Sequence, residues 1–281
     1  MITRELLESI MPDVEEYVIK NEKPHIILEG YEYMREVLTL FAKQHNLVDS
    51  TLVLIDKGHN EEAFVLARSI LNNYFLINYL LGDDKSRYRL KRYHNQTYIA
   101  DKYYWEKIKG IIEGKTYHDM SKVIKNLIPL TLEQVEEKIN FNKEMIRKNG
   151  WDPEDRKLRP LSVQYLAYNS DRFGVEMYTS FYLPASKYEH SDVATLDIYK
   201  QPILEEYSKE QVFMLDVNRT DETLEDKIYS MLFSTYAGTI IRLYDHISTK
   251  EKHLLGMFDL EKLSSILQNI NIHSLINIAL D

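Results

Sequence analysis

Apolar residues recur at intervals of three and four along nearly the whole chain, which is the spacing of one helix face. Residues 3–20, TRELLESIMPDVEEYVIK, read as an acidic amphipathic helix with Pro12 as a kink or break. Pro24 opens a second helix to about residue 46, with Ile27, Tyr31, Met34, Val37, Leu38 and Phe41 on helical spacing. Asp49 or Ser50 is expected to cap a further helix that stops at Gly58. Residues 60–81, NEEAFVLARSILNNYFLINYLL, are apolar around most of the circumference, predicting the most buried helix of the protein, and Gly82 ends it.

Beyond Gly82, Asp83, Asp84 and Ser86 offer caps for a long helix to about Ile112. A shorter helix is expected near residues 117–127. Thr131-Leu-Glu-Gln134 is a capping box that opens a helix to about Asn149. Residues 150–160, with Gly150, Pro153 and Pro160, form the clearest loop. A short helix starts near Ser162, and Gly174 separates it from a tyrosine-rich helix that Pro184 interrupts. Residues 195–220 are irregular, 221–249 predict a long helix capped by Thr220 or Asp221, and 259–280 a last amphipathic one. With nine Gly and seven Pro in 281 residues there is little turn chemistry for a β architecture. The expected fold is all-α: a single compact domain of roughly ten helices over residues 1–281, with the helices of 221–280 packing on the rest.

Composition narrows the function. Cysteine is absent, which excludes disulfides, thiolate metal sites and a Cys nucleophile. No metal is expected, because no His-Glu-x-x-His, EF-hand loop or paired carboxylate-x-x-His occurs. No cofactor is expected either, since P-loop and Gly-x-Gly-x-x-Gly patterns are missing and Ser186 lacks a nucleophile-elbow context. The net charge of −9 disfavours wrapping of duplex nucleic acid, while a local basic patch would still suit a short RNA or a nucleotide. The start of the chain has no signal-peptide pattern and no window approaches about 18 apolar residues, so a cytoplasmic protein without membrane contact is expected.

The chemistry concentrates in MYTSFYLPASKYEHSD, where Tyr178, Tyr182, Ser186 and His190 recur at steps of four and fall near one helix face. Three hydroxyls and an imidazole on one face need buried partners, a ligand or water. Arg68 stands among Phe64, Leu71 and Phe75 and needs acceptors of its own. It either clamps a phosphate or carboxylate, or ties helices together through Glu189, Asp192 or carbonyls. His190 suits proton transfer, or is a buried His bonded to Tyr182, Ser186 or backbone.

Two segments also carry a family resemblance: EEAFVLARSILNNYFLINYLL followed by SRYRLKRYHNQ, and RPLSVQYLAYNSDRFGVEMYTSFYLPASKYEHSDVATL preceded by Trp151. Over about residues 30–200 the chain resembles the bacterial domain-of-unknown-function family 5677. That family pairs an Arg-x3-Glu helix with a later Tyr-x3-Tyr-x3-Ser-x3-His helix. The resemblance implies an all-helical intracellular protein and no particular activity. Asn72 occupies the place of the family's Glu, so a pair with Arg68 inside one helix is not available.

A second candidate site lies in the basic run after Gly82, where Arg89-x4-His94 and Arg87-x6-His94 match the spacing of HEPN ribonucleases, metal-independent enzymes in which His moves protons and Arg stabilises phosphate. A solvated basic helix start gives the same spacing. The leading expectation is a pocket lined by Arg68, Tyr182, Ser186 and His190 that binds an anionic ligand or a protein partner, in a setting of bacterial stress or phage defence by analogy. The alternatives are a HEPN-like ribonuclease using His190 or His94 with a nearby Arg, and a structural subunit or homo-oligomer assembled through the terminal helices.

Overall fold

The computed structural model describes residues 2–19, 25–83, 87–115, 130–155, 158–170, 173–202, 213–216, 218–250 and 260–278. The fold is all-α, as the periodicity predicts; the only strands among the described residues are β1 (Lys200–Pro202) and β2 (Phe213–Leu215). The helix expected near 117–127 lies outside the described residues. The chain forms two compact units, Met1–Gly82 with Val163–Asp281, and Asp83–Ser162.

In the first unit, α1 (Ile2–Val14) is followed by α2 (Glu32–Asp56) and α3 (Asn60–Leu81). The continuous α2 corrects the expected stop near residue 46. Asp49 and Ser50 sit inside it, and Ser50 and Thr51 hydroxyls donate back to the carbonyls of Asn46 and Leu47 at 2.8 and 2.7 Å. Such back-bonding lets a cap-forming residue type ride within a helix. Pro12 likewise lies inside α1, and a π turn, Glu15–Ile19, follows that helix.

Helix α3 is the centre of this unit. Buried residues occupy every face of it, from Ala63 and Phe64 to Tyr79 and Leu80, because it packs against α2, α7 (Val163–Tyr168), α9 (Leu183–Glu189) and α11 (Leu224–Asp245). Gly238 of α11 lets the two helices approach: a Cβ there would stand 3.0 Å from the Tyr74 ring. Helix α12 (Leu260–Ile278) packs with α1 and α11.

A polar seam joins α2 to α11 inside this apolar packing. His45 Nδ1 and the Tyr236 hydroxyl are 2.7 Å apart, as are His246 Nε2 and the Tyr33 hydroxyl. Between them Thr239 donates to Gln44 Oε1 at 2.9 Å, and the Gln44 amide to the Thr235 carbonyl at 3.3 Å. All of these side chains are buried, so the seam sets the register of two long helices that apolar contacts alone would leave free to slide.

The second unit is built on α5 (Gln96–Ile112) and α6 (Leu132–Lys148). Ile99 packs with Ile146 and Leu158, and Ile108 with Val135 and Ile139, so the helices run antiparallel. The expected capping box is present: Gln134 N–H donates to Thr131 Oγ1 and Thr131 N–H to Gln134 Oε1. The single helix expected from Asp83 to Ile112 is two, α4 (Tyr88–His94) and α5, with Asn95 between them. Asp83 does cap the first, accepting from the Arg89 and Leu90 N–H groups at 2.9 and 3.0 Å, while Arg87 adopts a left-handed φ of 55° at the turn.

Candidate functional site

The tyrosine-rich segment is not one regular helix. Helix α8 (Gly174–Met177) runs into a π turn over Tyr178–Tyr182, and α9 begins at Leu183. Pro184 explains the change: it has no N–H to give to a carbonyl four residues back, and its ring crowds that carbonyl. The chain widens by one residue, and Leu183 N–H bonds Tyr178 O, five residues back. Tyr178 and Tyr182 stack with ring centroids 5.1 Å apart and planes 16° from parallel.

Arg68 meets this segment from α3. Its guanidinium lies 4.4 Å from the centroid of the Tyr182 ring, and its Nη2 donates to the Tyr182 hydroxyl at 2.5 Å. Its Nη1 is ion-paired with Glu189. Of the acceptors the sequence offered, Glu189 is therefore the one used; Asp192 instead accepts from Ala194 N–H at 3.1 Å and caps α10 (Val193–Leu196). The carboxylate missing at position 72 is supplied from across the helix interface. Arg68 Nε and Asn72 Oδ1 are buried without a hydrogen-bond partner among the described residues.

Two members of the expected polar row stand apart. Ser186 donates to the carbonyl of Tyr182 at 2.9 Å and so serves its own helix. His190 is not a buried histidine held by Tyr182, Ser186 or backbone: its side chain is 74% exposed, with Nε2 3.5 Å from the Glu189 carboxylate. The π turn has displaced it from the ideal four-residue register, and α9 ends there. Ser191 takes a left-handed φ of 51°, with Ser191 N–H on the Tyr188 carbonyl and Asp192 N–H on that of Lys187, a Schellman ending without glycine. Arg68 and His190 thus flank one carboxylate, Glu189. His94 belongs to the other unit, exposed at the end of α4, its ring 6.1 Å from that of Tyr93.

Beside this cluster opens a cavity of about 310 Å³ that no single motif in the sequence announces. Glu189 lines it together with Glu61 and Glu62 from the first turn of α3. The phenols of Tyr188 and Tyr199 form further wall, Ser191 and Thr195 contribute hydroxyls, and Val65 and Leu196 supply the apolar part. Glu61 is buried and holds the approach to α11: it accepts from the Asp221 N–H at 2.7 Å and the Thr220 hydroxyl at 2.9 Å. Tyr188 donates to Asp221 at 3.3 Å and its ring packs edge-on against Phe64. Among the described residues no Lys, Arg or His lines this cavity; Arg68 meets it through its ion pair with Glu189.

Burial, then the charge and hydrogen bond of Asp221, push the Tyr188 hydroxyl up to about 12 from an ordinary 10.0. Tyr199 is raised by burial and then by Glu62 and Glu61, and burial lifts Tyr236 well above its ordinary value. A phenol raised in the folded state keeps its proton where the unfolded chain has lost it. The stability it contributes is fully present below about pH 10 and is lost as pH rises from there through the folded pKa. The urea midpoint is therefore expected to hold to about pH 9 and fall between about pH 10 and 12, with part of that slope removed in Tyr236→Phe. A midpoint unchanged at pH 12 would contradict it.

Among the described residues no helix is long and apolar enough to cross a membrane, and no group of three or more His, Cys, Asp or Glu side chains could hold a metal ion. No curated protein and no solved structure matches the chain. The family profile that matches spans residues 36–202, which takes in Arg68, the π turn, Glu189, His190 and all the residues lining the cavity, so the chain belongs to the family of unknown function DUF5677.

Proposed function

We propose that the protein is a binding module, and that the group it recognises is a compact organic cation seated in the cavity at the first turn of α3. The single observation that carries this is the lining among the described residues: the carboxylates of Glu61 and Glu62, a third, Glu189, whose charge Arg68 counters, two phenols and two aliphatic side chains around about 310 Å³. A site of that size suits a small ligand, and its walls match an ammonium group with a short apolar body. Arg68 favours this over the anionic ligand that the sequence suggests. Its charge is already countered by Glu189, so an anion has to displace that carboxylate first. The setting we propose, bacterial stress or phage defence, follows from the family resemblance by analogy.

The test is calorimetric titration of the full chain with n-butylamine, n-butyrate and inorganic phosphate in parallel. The amine is expected to bind saturably and more weakly as salt rises. Glu62→Gln, which alters an exposed rim carboxylate, is expected to lower that affinity about fivefold, as a partly screened charge contributes about 1 kcal/mol. Binding of butyrate or phosphate without binding of the amine would overturn the reading in favour of an anion held by Arg68.

One observation favours a second reading. His190 is in solvent beside Arg68, a pairing that a metal-independent ribonuclease needs. Cleavage of single-stranded RNA in excess chelator, lost in His190→Ala, would establish it.

A further inference from the structure

The cavity wall carries an exposed apolar side chain, Leu196, beside its carboxylates. The segment that forms its wall continues through α10 and a single 3-10 turn, Asp197–Tyr199, into the small hairpin of β1 and β2. The hairpin is tied to that wall by its register, Lys200 opposite Leu215, and by Asp216 N–H bonding the carbonyl of Tyr199, itself a lining residue, at 2.9 Å. Along this segment large apolar side chains face solvent. Val193 is 75% exposed and Leu215 73%, and Leu196, Phe213 and Met214 are exposed as well. Phe213 and Leu215 share one face of β2, since alternate residues of a strand do. Single exposed apolar residues are ordinary; several on two elements, α10 and β2, that meet at the cavity-lining Tyr199 mark a contact surface.

We infer that the cation recognised here belongs to a protein: a lysine side chain with apolar neighbours in a segment of the partner. The inference rests on the cation-binding reading above and names its ligand class. Charge complementarity chooses the occupant, because the carboxylates of Glu61 and Glu62 suit an ammonium while the flanking α10 and β2 residues suit apolar side chains. A free small amine would leave Val193 and Leu215 in water; a lysine in a chain covers them.

The full chain is titrated with n-butylamine and with a blocked pentapeptide of lysine flanked on each side by two leucines. A glutamate-centred peptide is the control. The lysine peptide is expected to bind at least about tenfold more tightly than the amine, because it adds apolar contact to the same charge. Val193→Ser with Leu215→Ser is expected to bring the peptide to the affinity of the amine and to leave amine binding unchanged. Glu62→Gln lowers both. A lysine peptide that binds no better than the amine, or that ignores the serine substitutions, overturns the inference and leaves the cavity reading in place. Equal binding of the glutamate peptide overturns it too. If neither amine nor lysine peptide binds, both readings fall.

Discussion

Tyr236→Ala is expected to destabilise the protein by about 4 kcal/mol, and Tyr236→Phe by about 1. The ring is wholly buried on α11 and lies 5.5 Å, centroid to centroid, from Phe41 of α2. Alanine would remove most of a large side chain from a seam between two long helices. The hole would be lined by Phe41 and neighbours that a helix cannot move inward without shifting its whole axis, so the transfer loss and the cavity loss add. Phenylalanine fills the same volume and loses only the hydroxyl, 2.7 Å from His45 Nδ1. Its cost is one buried hydrogen bond. Urea denaturation of the two variants at neutral pH separates the terms. An alanine variant within about 1 kcal/mol of the phenylalanine one would mean that the seam relaxes, and that α2 and α11 are held by something other than this ring.

That seam shows where the sequence is readable and where it is not. Helix α3 is legible because its apolar residues cover the whole circumference and only burial on every side accommodates that. The capping box at Thr131 is legible because both partners sit three residues apart. Gln44, His45, Thr235 and Thr239 give no such signal: their bonds span about 190 residues, and each alone reads as a polar interruption of an apolar stripe. Asp49 and Ser50 mislead in the opposite sense. They are good caps in isolation, but α2 continues because its neighbours are buried on both sides of them.

The candidate site divides in the same way. Arg68 could be singled out as a charge in an apolar helix, and Glu189 named among its acceptors, because burial leaves a guanidinium few choices. The four-residue row ending at His190 assumes ideal helical register, which the π turn over Tyr178–Tyr182, ahead of Pro184, breaks. The cavity lay beyond reach, since its walls come from residues 61–65 and 188–199 and their meeting depends on how α9 packs on α3. Its strongest sequence trace was Glu61-Glu62, which reads as an ordinary acidic first turn.

Arg68→Ala is expected to cost about 2–3 kcal/mol, and Glu189→Ala about 1. The asymmetry follows from exposure. The Arg68 side chain is 14% exposed and Glu189 40%, so the carboxylate left behind can turn to water whereas a lone guanidinium cannot. Arginine also contributes its stem and its stacking on Tyr182, at 4.4 Å from the ring centroid, which alanine forfeits. If the pair is chiefly structural, Arg68→Met with Glu189→Gln should recover to within about 1 kcal/mol of the parent, because an apolar side chain of similar length fills the slot and no charge is stranded. If the cluster instead serves binding, Glu189→Ala should lose amine affinity while the double variant keeps it, since the single change alone leaves the Arg68 charge uncountered beside the cavity. Folding is read by urea denaturation and binding by calorimetry on the same four proteins. A double variant no more stable than Arg68→Ala would show that the guanidinium's bond to the Tyr182 hydroxyl, and not its charge pair, holds α3 to the tyrosine-rich segment.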